Sequence, residues 1–94
     1  MKFKDLKFKK QGHGGIGATA KFKDVTISIQ AGKFVYSMPR EDLSSASKFS
    51  SFEVAIWENS EDGAFVTDKF LDTNDSVAGW TGKDDIDNLL KKLS

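Results

Sequence analysis

Apolar and polar residues alternate with period two from Ile16 to Met38, and this is the strongest structural signal in the chain. Ile16, Ala18, Ala20 and Phe22 alternate with Gly17, Thr19 and Lys21, as a half-buried strand requires. Lys23-Asp24 reads as a two-residue turn, after which Val25, Ile27 and Ile29 alternate with Thr26, Ser28 and Gln30. Ala31-Gly32 reads as a second tight turn, with Gly able to take positive φ. Phe34, Tyr36 and Met38 then extend the apolar alternation until Pro39 ends it. The register implied by these turns pairs Phe22 with Val25, Ala20 with Ile27 and Ala18 with Ile29. It goes on to pair Ile29 with Phe34 and Ile27 with Tyr36, which places every apolar residue of the meander on one face.

Residues 40–51 are polar and serine-rich and read as a loop or a single helical turn. Phe52, Val54 and Ile56 define another strand, with Ala55 and Trp57 on its opposite face. An acidic, glycine-containing turn at 58–63 leads to a returning strand within 64–70, and a polar loop follows at 72–76. The last element is a helix over 82–93. Ile86, Leu89, Leu90 and Leu93 form one apolar stripe, acids lie in its first turns and Lys91 and Lys92 in its last. Thr81-Gly82-Lys83-Asp84 has the form of a capping box, with Trp80 placed to act as a hydrophobic staple. The N-terminal stretch fits either a strand (Leu6, Phe8) or a helical turn (Phe3, Leu6). The expected fold is α+β: an antiparallel sheet of about five strands, made of the meander 16–38 plus strands near 52–57 and 64–70. The C-terminal helix 82–93 covers one of its faces, and residues 1–94 form one domain.

Composition supports a folded domain, with eight Phe, two Trp and one Tyr available for a core and only one Pro. The absence of cysteine excludes disulfides, zinc–thiolate sites and thiol catalysis, and fits a reducing compartment. The first ten residues lack the apolar stretch of a signal peptide, and no run is long enough to span a bilayer. A cytoplasmic, non-membrane protein is therefore expected.

Formal net charge is zero, but the charges are sorted. Residues 1–40 carry nine Lys/Arg against two Asp/Glu, and residues 41–94 carry five against twelve. Such sorting marks a surface for nucleic acid or an acidic partner, or two halves that neutralise each other within one fold or in a homodimer. Lys7, Lys9, Lys21 and Lys23 are the candidate phosphate contacts, and lysines so placed also keep an edge strand from aggregating. A single arginine, Arg40, argues against base-specific readout.

Motifs for chemistry are sparse. Gly12-His13-Gly14-Gly15-Ile16-Gly17 satisfies GxGxxG literally, but a strand follows where dinucleotide binding needs a helix. No cofactor is expected. His13, the only histidine, has neither nucleophile nor orienting carboxylate in any recognisable pattern. The acids at 58–75 lack calcium-loop spacing, since the sixth position counted from Asp72 is Val77 rather than glycine. No metal site and no enzymatic activity are expected. Trp57 on the second face of the sheet, with His13, Gly14 and Gly15 in a glycine-rich loop, are the candidate partner-binding residues.

Three segments together, HGGIGA leading into an alternating strand, FEVAIW, and DSVAGWTGKDDIDNLL, resemble small accessory proteins encoded by tailed bacteriophages. The resemblance implies a short antiparallel sheet with a C-terminal helix, host-cell cytoplasm, and a non-enzymatic domain that binds a host protein and inhibits host machinery or defence. The alternative is a non-specific nucleic-acid-binding module using the lysine-rich half.

Overall fold

A computed structural model describes residues 1–12 and 14–94. Five antiparallel strands form one sheet: β1 (Lys9–Lys10), β2 (Ile16–Lys21), β3 (Val25–Ala31), β4 (Ser51–Glu58) and β5 (Val77–Gly82). They lie side by side in chain order, and helix α1 (Lys83–Leu93) follows β5 directly. The fold is α+β, with a five-stranded antiparallel sheet and a C-terminal helix.

The first hairpin has the register its alternation implies. Ala18 faces Ile29 and Ala20 faces Ile27, and the Phe22 N–H donates to the Val25 carbonyl at 2.8 Å across the Lys23-Asp24 turn. The third strand of the meander is a correction. Residues 34–38 do not pair with β3; β4 does, so that Ile27 faces Ile56 and Ile29 faces Val54. Phe34, Tyr36 and Met38 are exposed. The physical reason lies in the competition for β3: Phe52, Val54 and Ile56 offer an eight-residue strand whose apolar face is fully buried. The 34–38 segment is cut short by Pro39, and Met38 alone bridges to Ser51, beyond the end of β3.

A strand over 64–70 is also corrected. Phe65 makes one bridge to Trp57, and Thr67–Lys69 then turn as a 3-10 helix. The fifth strand is Val77–Gly82, whose apolar alternation is broken by Gly79. Thr67 explains the early turn. Its hydroxyl is fully buried, accepts from the Ile56 N–H at 2.8 Å and lies 2.7 Å from the Ser76 carbonyl, tying β4 to the start of β5. The capping box is likewise absent: Gly82 occupies the N-cap position without a side-chain bond, because Thr81 belongs to β5 and donates to the Ala78 carbonyl at 3.2 Å.

One face of the sheet carries the core. Ile27, Ile29, Phe52, Val54 and Ile56 pack with Ile86, Leu89 and Leu90 of α1. The N-terminal segment resolves its ambiguity by making one 3-10 turn (Phe3–Asp5) before the two-residue β1. Its rings then close the core beside the helix, with Phe3 and Phe8 centroids 5.1 and 5.7 Å from that of Phe52. The Phe3 N–H donates to the Asp87 carboxylate on α1, which fixes the segment alongside the helix. No helix among the described residues is long and apolar enough to cross a membrane.

Replacing Thr67 by Val keeps the volume but orphans the Ile56 N–H and the Ser76 carbonyl. Thr67→Val should lower unfolding free energy by about 1–3 kcal/mol in urea titration. Leu90→Ala, a cavity mutation in the same core, should cost about 2–5 kcal/mol.

Candidate protein-binding surface

The face of the sheet opposite α1 has a floor of small or short side chains, with aromatic pairs at its two ends. Ser28, Gln30 and Ala55 lie across its middle, and Val77 stands beside Ala55. At one end, the Trp57 ring meets Phe65 edge-on with centroids 6.3 Å apart. At the other, the Tyr36 and Trp80 rings lie 5.0 Å apart at 33°. Glu53, beneath the second pair, is four residues from Trp57 along β4, or roughly 13 Å of strand.

The Tyr36 end is built by two irregularities. The first is the chain between β3 and β4. Ser37, fully buried, accepts from the Gly32 N–H at 3.1 Å, and its hydroxyl lies 2.9 Å from the Pro39 carbonyl and 3.1 Å from that of Gly32. With Ser37 pinned inward, its alternate neighbours project outward: Phe34, Tyr36 and Met38 are 68%, 44% and 54% exposed. The Lys33 N–H donates to the Asp42 carboxylate at 2.9 Å, and the Tyr36 N–H donates to Glu53 at 3.0 Å, so the loop is held at several points.

The second irregularity is a bulge in β5. Phe52 faces Thr81 and Val54 faces Ala78, which leaves Gly79 and Trp80 opposite the single residue Glu53. Trp80 takes φ of 51°, in the left-handed region that disfavours bulky side chains, and it is 55% exposed. Its N–H donates to the Tyr36 carbonyl at 2.9 Å. Gly79 makes this approach feasible, since a Cβ there would stand 2.7 Å from the Tyr36 Cβ. Strained backbone holding an exposed indole is a pattern that clusters at functional sites. The Arg40 guanidinium lies 5.4 Å from the Tyr36 ring and Lys33 Nζ 5.7 Å from the Phe34 ring, so the apolar rings have cationic borders.

The residues singled out from the sequence are not brought together. Trp57 is on the outer face, half-buried under Phe65, at the end remote from Tyr36. His13 lies outside the described residues. Gly14 and Gly15 precede β2 and support the loop from below rather than adding to the rings. Gly15 has φ of 73°, and a Cβ on it would stand 2.5 Å from the Ala31 carbonyl oxygen. Lys7, Lys9, Lys21 and Lys23 are exposed and lie along the β1–β2 side of the sheet, across from β5. Among the described residues no cluster of three or more His, Cys, Asp or Glu could hold a metal.

The sequence pattern places Tyr36 on the apolar face of the meander and Trp80 as a helix staple, whereas both are exposed on this surface. One signal for Tyr36 was available: Pro39 and the serine run after it limit how long a strand at 34–38 can be. For Trp80 there was none, because a bulge depends on how two strands meet.

Two expected outcomes follow from this geometry. Trp80→Gly should be more stable than Trp80→Ala by roughly 1 kcal/mol, the reverse of an ordinary strand position, because only glycine takes positive φ without strain. Thermal melts of the two variants check this. Ser37→Ala should cost about 1–3 kcal/mol by orphaning the Gly32 and Pro39 backbone groups. It should also speed amide exchange at Tyr36 and Trp80, read by hydrogen-exchange mass spectrometry.

No protein-family model, curated protein or solved structure matches the chain.

Proposed function

We propose that this chain is a non-enzymatic protein-binding module that docks a partner on the outer face of its sheet. Tyr36 and Trp80 are the anchors, with Phe34 and Met38 beside them on the same loop and Trp57–Phe65 as a second contact. The observation that carries this reading is the exposed Tyr36–Trp80 ring pair, held by a bulge with Trp80 at positive φ. Rigid, exposed Tyr and Trp are the residue types that dominate binding energy at interfaces. Composition supports the non-enzymatic part, since the chain has no Cys and one His from which to build a reacting centre.

The resemblance of HGGIGA, FEVAIW and DSVAGWTGKDDIDNLL to phage accessory proteins supports a bacterial host protein as the partner, encountered in the host cytoplasm and inhibited by occupation. The second reading is non-specific nucleic-acid binding. It is supported by the exposed lysines 7, 9, 21 and 23 on the other side of the sheet.

A tagged pull-down from bacterial lysate, with and without nuclease, separates the two. The wild-type chain should retain a discrete protein after nuclease treatment. Tyr36→Ala and Trp80→Gly should each weaken that capture by about 30-fold or more, the effect of losing roughly 2 kcal/mol at a hot spot. Retention of nucleic acid alone, lost on Lys7→Glu/Lys9→Glu/Lys21→Glu/Lys23→Glu substitution, would overturn the protein-binding reading.

A further inference from the structure

The β2–β3 hairpin determines which peptide groups of β2 face away from the sheet. Phe22 and Val25 form a hydrogen-bonded pair next to the turn, and bonded pairs alternate along an antiparallel ladder. Ala20–Ile27, Ala18–Ile29 and Ile16–Ala31 are therefore the bonded pairs, and the peptide groups of Gly17, Thr19 and Lys21 point outward. β1 is two residues long and covers Gly17 alone of these three. Among the described residues no strand lies beyond Thr19 and Lys21, and both are exposed. The sheet thus ends in a short open edge.

Charge around that edge has one sign. Residues 1–24 carry seven Lys and two Asp, and residues 58–75 carry six Asp/Glu and one Lys. Because the strands lie in chain order, the sorting along the sequence becomes sorting across the sheet. β1 and β5 are four strand spacings apart, ~19 Å at about 4.8 Å each, and β2 is two spacings from β4. The start of the acidic connection meets the basic side at the β2–β3 turn, where Asn59 bonds to Phe22 and Asp24, while the outward edge of β2 carries Lys21 and is flanked by Lys9 and Lys23.

We propose that the Thr19–Lys21 edge of β2 is a strand-addition site for an acidic, extended segment of a partner protein. The partner's backbone joins the open N–H and C=O groups, and its carboxylates meet Lys9, Lys21 and Lys23. Lysines on an edge repel a second copy of the same edge, so they select against self-pairing while admitting a strand of opposite charge. The chain's own acidic connection is a poor candidate occupant: Phe65 is already bridged to Trp57, and Val66 and Thr67 are buried. A nucleic acid would use the lysines but not the backbone edge. This site is distinct from the Tyr36–Trp80 surface at the other side of the sheet.

The test uses the intact, isotope-labelled chain and a synthetic peptide alternating Glu and Val. Beside it run the same peptide N-methylated at alternate residues, a Lys-Val counterpart, and oligothymidylate. The Glu-Val peptide should slow amide exchange at Thr19 and Lys21 by at least ~tenfold, as new ladder bonds would. The N-methylated and Lys-Val peptides should give no protection. Lys9→Glu/Lys21→Glu should weaken the Glu-Val peptide by at least ~tenfold. Tyr36→Ala should leave its binding unchanged, which separates this site from the aromatic surface. Equal binding of the N-methylated peptide, tighter binding of oligothymidylate, or protection of the same amides by self-association without peptide would each overturn the proposal.

Discussion

The pairing of β3 with β4 is the contact on which the molecule is organised. Ile27 and Ile29 on one strand meet Ile56 and Val54 on the other, all fully buried, and the helix stripe of Ile86, Leu89 and Leu90 rests on them. Forming this pair closes the intervening segment 32–50, and that closure carries an entropic cost which the short hairpin β2–β3 does not incur. Burial of four large aliphatic side chains, each stabilising by about 1.5–3 kcal/mol, is the compensation. Once β4 occupies the flank of β3, no place beside β3 is left for residues 34–38, and their apolar side chains go elsewhere.

Where they go is decided by a polar residue. Ser37 is buried with its hydroxyl among the Gly32 and Pro39 backbone groups, and that bond network turns Phe34, Tyr36 and Met38 to solvent. Exposing three large apolar side chains forgoes hydrophobic stabilisation, and the positive φ of Trp80 adds strain on the order of 1 kcal/mol or more. The same two features give a ring-bearing surface at one side of a sheet whose opposite side is basic, so the two sides differ in chemistry.

The simple strand order has an electrostatic consequence. In a sheet with crossovers, charge sorted along the chain would be interleaved. Here each strand neighbours the next in sequence, so β3 separates the lysine-rich β1–β2 from β4, and the acid-rich connection after β4 meets the first hairpin at its turn, through Asn59. Net neutrality then describes the sum and not the surface, and association through the basic edge will weaken as salt screens it.

Alternation and turn chemistry were local enough for the sequence to determine the β2–β3 hairpin, its register, the strand at 51–58 and the helix from its i, i+3, i+4 stripe. Those signals depend on residues a few positions apart, and period two or 3.6 identifies the element without knowledge of its neighbours. The outward turn of Phe34, Tyr36 and Met38, the fifth strand at 77–82 and the bulge at Trp80 were decided by tertiary structure. Alternating apolar residues read identically whether they face a core or solvent, and only competition for the flank of β3 and the burial of Ser37 chose between the two. Val77–Gly82 has no alternation to read because Gly79 and Trp80 together face one residue of β4, a mismatch that exists only when both strands are in place.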